Sequence, residues 1–341
     1  MAHPFPAVTF VDRDLVEVRE YRLADVQPHQ FVVKTRYSMV STGTELRVLG
    51  GHYGVAGSYP AIPGYASVGE VVEVGSQVKG FRVGDRVSCR NPQPVPGVTN
   101  FWGGQSALQL HVEEGMDRPV RLPDGAEFRD YVTVEIAAIS LRGVTQADPQ
   151  PGETAVVVGQ GLIGAFSAAW LSARGCRVIA TDLQPARLER ARKWAAEVID
   201  LSEPHGKDRL RAACNGGADI VVETSGSAGG ATTALHLLRA SGQGDGGRAN
   251  HTAWPRLIFQ ANYLDEIPIN PYTFFPGEGV TILAPFDRGV CDRLACVEYH
   301  RNGVIQAADF VDRERPYRDA PAAYHDLANR GGEVFSTVFA W

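Results

Sequence analysis

From position 124 to 261, short apolar runs alternate with stretches whose apolar residues recur at helical spacing. Segments 155–158, 177–181, 197–200, 220–223 and 257–261 read as parallel strands, with helices at 163–174, 185–195, 207–214 and 228–240 between them. The stretch 128–145 also has helical spacing. Strand and helix in alternation predict a doubly wound α/β domain. Residues 1 to about 123 follow another rhythm. Segment 31–37 alternates and is rich in β-branched residues, 68–75 is a strand ending in a turn, and 80–87 is a turn followed by a strand. Short strands punctuated by Gly, Pro and Asp predict a small β-barrel-like domain. The Gly-, Ser- and Asn-rich stretch 240–254 reads as a long surface loop, and 321–328 as a short helix.

Within the α/β part, Val156-Val157-Val158 leads into Gly159-Gln160-Gly161-Leu162-Ile163-Gly164, and a second apolar run ends at Asp182. This is the strand, turn, helix, strand and acid order of a dinucleotide-binding βαβ unit. Gly159 permits the tight turn, Gly161 presents no side chain to the pyrophosphate, and Gly164 lets helix and strand approach. The helix N-terminus offers N–H groups and a positive dipole end to the phosphates. Asp182 can accept hydrogen bonds from the adenosine ribose and would repel a 2′-phosphate, which favours NAD over NADP.

Composition narrows the classes of function. The chain has 341 residues, 44% of them hydrophobic, enough for two domains with real cores. A net charge of −6 and the lack of a long basic run give no sign of a nucleic-acid partner. No stretch approaches the length of a membrane span, and the first residues lack the pattern of a signal peptide. A cytoplasmic protein is expected. The odd, scattered cysteines 89, 176, 214, 291 and 296 argue against a disulfide framework, and Cys291-x4-Cys296 is a poor metal signal.

With these elements in order, the chain resembles the medium-chain dehydrogenase/reductase superfamily over nearly its whole length. The resemblance is carried by segment 63–75, by Val83-Gly84-Asp85-Arg86-Val87, by Gly103-Gly104-Gln105-Ser106-Ala107 and by 317–324. It implies a GroES-like β-barrel substrate domain at 1–123, completed by about 297–341. It also implies a Rossmann NAD-binding domain at 124–296, an active site in the cleft between the two, and a homodimer. The spelling Ser41-Thr42-Gly43-Thr44-Glu45 with Pro63-Gly64-Tyr65 resembles the branch that includes the hydroxyethyl bacteriochlorophyllide dehydrogenases.

Departures from the family pattern bear on the chemistry. Zinc members carry a cysteine ligand where this chain has Thr42, and a Gly-His-Glu ligand segment where it has Gly64-Tyr65-Ala66. Threonine, tyrosine and alanine do not make a zinc site. The four-cysteine structural lobe is reduced to Cys89. Both metals are therefore expected to be missing. Glu135 matches a carboxylate near the zinc of polyol-dehydrogenase relatives and reads either as a residue facing the site or as an ordinary helix acid.

A metal-free site must hold the developing alkoxide with hydrogen bonds and a proton acceptor. The resemblance gives Thr44 the substrate-contacting hydroxyl. Tyr65 either points at the same oxygen or fills the vacant metal pocket. His52 is a third candidate, because histidine titrates near neutral pH. Phe101 and Trp102 are candidates for an apolar wall. Thr224, Ser225 and Gly226, with Asn262 and Tyr263, follow strands at the ligand-binding edge of the sheet and are expected along the cofactor. The leading expectation is a zinc-independent, NAD-dependent oxidoreductase of a secondary alcohol or ketone, on a sugar, cyclitol or natural-product intermediate. Alternatives are an NADPH-type enone or quinone reductase, a redox-neutral lyase or epimerase with tightly held NAD, and a non-catalytic NAD-binding protein.

Overall fold

The computed structural model describes residues 4–53, 58–239, 254–267, 269–270, 279–330 and 334–341, so the expected loop at 240–254 lies, except for Trp254, outside the described residues. The chain forms two compact units, one of residues up to 138 with 289–341 and the other of 139–288.

In chain order the first unit begins with a hairpin of β1 (Pro4–Asp12) and β2 (Leu15–Arg22), followed by β3 (Gln30–Met39) and α1 (Thr42–Leu49). Next come β4 (Ala61–Ile62), β5 (Ser67–Val74), β6 (Arg86–Cys89), β7 (Thr99–Asn100), β8 (Leu108–Val112), β9 (Val120–Arg121) and α2 (Phe128–Tyr131). The helix α3 (Val134–Ala147) starts in this unit. The second unit runs β10 (Thr154–Val158), α4 (Leu162–Ala173), β11 (Arg177–Asp182), α5 (Pro185–Ala191), β12 (Glu197–Asp200), α6 (Gly206–Ala213), β13 (Ile220–Glu223), α7 (Ala228–Leu235), β14 (Arg256–Phe259) and β15 (Thr281–Leu283). The chain returns to the first unit with α8 (Val290–Arg301), β16 (Arg313–Pro316), α9 (Ala320–Asn329) and β17 (Thr337–Ala340).

Two sheets build the first unit, one in the order β2-β1-β4-β7 and one in the order β16-β17-β3-β5-β6-β9, with β8 also paired to β3. β3 is the shared wall. Phe31 and Val33 pack with Val71, Val87 and Cys89, while Val32 points the other way, among Phe5, Ile62 and Leu110. Burial on both faces explains why this segment starts as a continuous apolar run; of the expected alternation only the step from exposed Lys34 to buried Thr35 is seen, since Arg36 and Tyr37 are both half-buried. Register shifts between Val32 and Val33 and between Thr35 and Tyr37 bend the strand against β5. A further core joins Val48 and Leu49 of α1 to Tyr324 and Leu327 of α9, with Phe10 and Phe339 between them.

In the second unit the parallel strands lie in the order β12-β11-β10-β13-β14-β15. Ala155, Val156 and Val157 are fully buried, as expected of a strand covered by helices on both faces. The order places β10 beside β13, so the direction of winding reverses at their carboxyl ends, where such sheets bind ligands.

Three features differ from the sequence expectations. The helical stretch 128–145 is broken into α2 and α3. A sixth parallel strand, β15, pairs with β14. Residues 124–138 and 289–296, expected in the nucleotide-binding domain, belong to the first unit. Polar contacts hold them there: Glu135 meets Ser88 and Arg293, and Thr133 meets His300. Among the described residues, no helix is long and apolar enough to cross a membrane.

Candidate active site

In the second unit, β10 turns at Gly159, whose φ is +90°. A side chain there would press on the Ser225 backbone and Thr224 Oγ1 at 3.0–3.1 Å. At Gly164 a Cβ would lie 1.9 Å from the carbonyl oxygen of Gly159, so only glycine lets the helix sit this close. Gly161 is different. Its φ is −69°, which any residue adopts, and a Cβ there would meet nothing within 4 Å. Neither backbone nor packing demands glycine at this position; the open space is what it preserves. Leu162, Ile163 and Gly164 form the first turn of α4, and no side chain caps that turn. This is the arrangement that receives a phosphate.

Asp182 ends β11, largely buried. Its Oδ2 accepts from the Gln160 N–H at 2.6 Å, and its Oδ1 from the N–H groups of Leu183 and Gln184 at 2.8 and 2.9 Å. The carboxylate is thus fixed beside the glycine turn, with Arg187 Nη1 at 3.9 Å from Oδ2. Thr224 Oγ1 donates to the carbonyls of Val158 and Gly159 at 3.0 and 2.8 Å and pins the turn to β13. Ser225 and Gly226 follow at the surface, Gly226 with φ +66°.

Sequence reasoning passed over Glu223. It is fully buried at the end of β13 and accepts from the N–H of Ser225 at 2.8 Å, from the Ser225 hydroxyl and from the Tyr263 phenol. Burial, and then the bond to Glu223, push the Tyr263 phenol well above its ordinary range. Tyr263 therefore ties the segment after β14 to β13, and Asn262 beside it is exposed. An acid ending an apolar strand was the available signal, the same one that marked Asp182.

In the first unit, Ser41 precedes α1 but its hydroxyl does not cap the helix. The Ser41 Oγ lies 2.5 Å from the phenol oxygen of Tyr65. Its backbone N–H donates instead to Glu45 Oε1 at 2.7 Å. Glu45 is fully buried, and its Oε2 accepts from the Tyr324 phenol of α9 and from Gln105 Nε2 at 3.3 Å. Burial raises the Glu45 carboxyl to about 7, against the opposing pull of the bonds from Tyr324, Ser41 and Gln105. Gln105 is held by the Ser38 hydroxyl at 2.5 Å, and Ser38 by the indole N–H of Trp341 at 2.7 Å.

Tyr65 is largely buried, with Trp102 edge-on at 5.5 Å between ring centroids. Tyr53 and Phe101 flank Trp102 at 5.5 and 5.9 Å, and Trp102 itself has φ +70°, a costly conformation for a bulky residue. Tyr53 thus joins Phe101 and Trp102 in one aromatic cluster. Thr44 is half-buried on α1, its N–H donating to the Ser41 carbonyl at 3.0 Å. His52 lies exposed just past the other end of α1. The fold therefore joins Tyr65 to Ser41, and sets Thr44 and His52 near opposite ends of the same helix. Ser41, Glu45, Gln105 and Tyr324 lie in segments that carried the family resemblance, but none was assigned a role from the sequence, because Glu45 meets Gln105 and Tyr324 only across 60 and 279 positions.

Glu135 is neither an open ligand nor a solvated helix acid. It is buried with Arg293, whose Nη1 lies 3.3 Å from Oε1, and it accepts from Ser88 Oγ at 3.0 Å. Arg293 also donates to the carbonyls of Met116 and Arg118 at 2.9 and 2.7 Å. Cys89 and His111 lie in the field of this pair. Burial raises the thiol and, with Arg293, lowers the imidazole to about 3.

A glycine turn at the switch point of a doubly wound sheet, in one chain with a β-barrel-type unit, defines an oxidoreductase of the alcohol dehydrogenase architecture. Residues 27–141 match the family described as alcohol dehydrogenase GroES-like domain, and 163–244 the family described as zinc-binding dehydrogenase. A probable D-xylulose reductase A of Aspergillus fumigatus is 30% identical over 368 residues, covering 98% of this chain and 93% of that protein. Among solved structures, 2R,3R-butanediol dehydrogenase from Bacillus subtilis superposes with a TM-score of 0.82 at 19% identity, covering 99% of each chain. A putative zinc-binding dehydrogenase from Sinorhizobium meliloti, bound to NADP, superposes with 0.84 at 20% identity over 99% of this chain and 100% of its own. The chain belongs to the medium-chain dehydrogenase/reductase superfamily and is an oxidoreductase.

The family description includes zinc, and the residues here do not fit it. The sequence resemblance puts Thr42 and Tyr65 at the family's ligand positions. The Thr42 hydroxyl is buried without a hydrogen-bond partner among the described residues, and the Tyr65 phenol is engaged by Ser41. Neither is a thiolate, imidazole or carboxylate. Glu45 has both oxygens committed. Among the described residues there is no group of three His, Cys, Asp or Glu side chains placed to hold a metal ion.

Proposed function

We propose that this protein is a zinc-independent, NAD-dependent oxidoreductase acting on a secondary alcohol, or the matching ketone, of a polyfunctional small molecule such as a sugar, cyclitol or natural-product intermediate. The observation that carries the reading is the replacement of the ligand pair by Thr42 and Tyr65, with the Tyr65 phenol hydrogen-bonded to Ser41. A hydroxyl pair of this kind holds a substrate oxygen in either protonation state. Ser41 donates to Tyr65 while the phenol proton points at the ligand, or the phenol accepts from an alcohol and passes its own hydrogen bond to Ser41. Thr44, half-buried on α1, is a second hydroxyl for the same oxygen. The xylulose reductase and butanediol dehydrogenase relatives support a polyhydroxylated or vicinally oxygenated substrate.

Gly161 and the first turn of α4 would hold the pyrophosphate, and Asp182 the adenosine ribose. When bound, the nicotinamide supplies the hydride acceptor or donor. Asp182, held in place by three backbone N–H groups, supports NAD by repelling a 2′-phosphate. Arg187, 3.9 Å from that carboxylate, favours the NADPH-type alternative, since an arginine there suits a 2′-phosphate, and the Sinorhizobium meliloti relative binds NADP.

The test is oxidation of a panel of polyols and secondary alcohols by protein stripped with a strong chelator, with zinc measured in the same sample. Substrate-dependent NADH formation without stoichiometric metal is expected. Activity that disappears on stripping and returns only with zinc would refute the metal-free reading.

A further inference from the structure

We propose that Glu45 is a positioning residue for Tyr65, acting through Ser41; this rests on the reading of Tyr65 as a contact of the substrate oxygen. Ser41 is the pivot. Its N–H is held by Glu45 Oε1 at 2.7 Å, and its Oγ holds the Tyr65 phenol at 2.5 Å. A serine before a helix ordinarily turns its hydroxyl back onto the helix N–H groups. Here Glu45 satisfies the Ser41 N–H from within the helix, and the hydroxyl is directed to Tyr65.

The surroundings of Glu45 exceed what helix capping needs. A carboxyl fully withdrawn from water is costly unless its oxygens are bonded. Oε2 is bonded by Tyr324 of α9 and by Gln105, which is itself braced by Ser38 and Trp341. A relay of hydrogen bonds thus runs from Trp341 through Ser38, Gln105, Glu45 and Ser41 to Tyr65. Gly64, at φ +90°, leaves the room that Gln105 needs, because a Cβ there would lie 2.5 Å from Gln105 Cγ. The groups facing the carboxyl are Tyr324 on α9, Gln105 in the turn before β8 and Ser41 on its own segment. Its elevated proton affinity follows from burial among them and gives the pair a pH dependence near neutrality.

Two readouts test the proposal. The first is turnover of Glu45→Asp, Glu45→Gln and Ser41→Ala. A carboxyl one methylene shorter cannot reach both Ser41 and Tyr324, so Asp should lower kcat by about 10–100-fold, as misplacement of a reacting group does, with Kd for NAD within about twofold. Gln, which keeps the length, should lose less than Asp and should flatten the kcat–pH profile near 7. The Asp and Ser41→Ala losses should not add, because both act along one path. The second readout needs no activity: the ¹⁹F resonance of Tyr65 in 3-fluorotyrosine-labelled protein, assigned through Tyr65→Phe. It should shift or split in Glu45→Asp and Ser41→Ala. An unmoved resonance in both variants, or additive losses, would overturn the positioning role. Normal turnover of Tyr65→Phe would instead remove Tyr65 from the proposed mechanism, leaving the resonance to decide whether Glu45 positions it.

Discussion

Arg293 of α8 meets Glu135 of α3 inside the first unit, Nη1 to Oε1 at 3.3 Å, with the two side chains 0% and 1% exposed. Removing one member of a buried pair strands the other charge, whereas replacing both by apolar groups is often tolerated. Arg293→Met should therefore cost about 3–5 kcal/mol of stability, and the Glu135→Met, Arg293→Met double variant much less. Denaturant titration of the full cycle checks this. A double variant as unstable as the single one would mean that Arg293 acts mainly through the carbonyls of Met116 and Arg118.

Two glycines of one motif should behave oppositely. Gly161→Ala meets open space, so its melting temperature should stay near wild type while dinucleotide affinity falls by tenfold or more, about 1.4 kcal/mol. Gly164→Ala drives a methyl into the Gly159 carbonyl and should destabilise the protein by about 1–3 kcal/mol. Calorimetric titration and thermal melts separate the two. Unchanged NAD binding by Gly161→Ala would remove the pyrophosphate from this turn.

Asp182→Asn keeps an acceptor for neighbouring N–H groups and deletes the charge. NAD should bind several-fold more weakly and NADP more tightly, narrowing the preference between them. A wild-type protein that binds NADP better than NAD would reverse the role given to Asp182 and favour Arg187.

For catalysis, Tyr65→Phe with Thr44→Ala should slow turnover by about 10²–10³, the usual loss when oxyanion donors are removed. NAD affinity should hold, because neither residue belongs to the dinucleotide turn. Near-normal turnover would shift attention to His52.

Stability should depend on pH through three buried groups. His111 and His300 are lowered from 6.5 to about 3 and about 4, chiefly by burial. They bind protons less readily folded than unfolded, so the stability they give is complete above about 6.5 and is lost as pH falls through that window. In the neutral ring of His300, Nδ1 donates to the Cys296 carbonyl and Nε2 accepts from the Thr133 hydroxyl. Glu45 runs the other way. Raised from 4.5 to about 7, it favours the folded state in acid, an advantage lost as pH rises between those values. Each group contributes a slope of about 1.4 kcal/mol per pH unit inside its window. Stability should therefore fall from pH 6.5 to 4.5, and fall more steeply in Glu45→Gln, which removes the opposing group. Parallel melting-temperature profiles for the two proteins would contradict this.

What the sequence determined by itself was the part governed by local rules. The apolar runs of β10, β11 and β13, the glycine spacing at 159–164 and the acid ending β11 are signals spanning a few dozen residues. Strand period, turn conformation and helix N-terminus chemistry act over that same range, so the nucleotide-binding order and Asp182 were legible without coordinates. β15 was not, because a short edge strand with its first two residues exposed and the third half-buried carries little pattern. That threonine and tyrosine stand at 42 and 65, where the resemblance implies ligands, was also legible, being a matter of residue type. What took their place was decided by tertiary structure. Glu45 meets Tyr324 across 279 positions, Glu135 meets Arg293 across 158, and Thr133 meets His300 across 167. In sequence these are an acid, an arginine and a histidine on ordinary helices. Only the return of the chain through α8 and α9 brings them together, because a buried charge or imidazole is stabilised by whichever partner the fold delivers, and periodicity does not encode that partner.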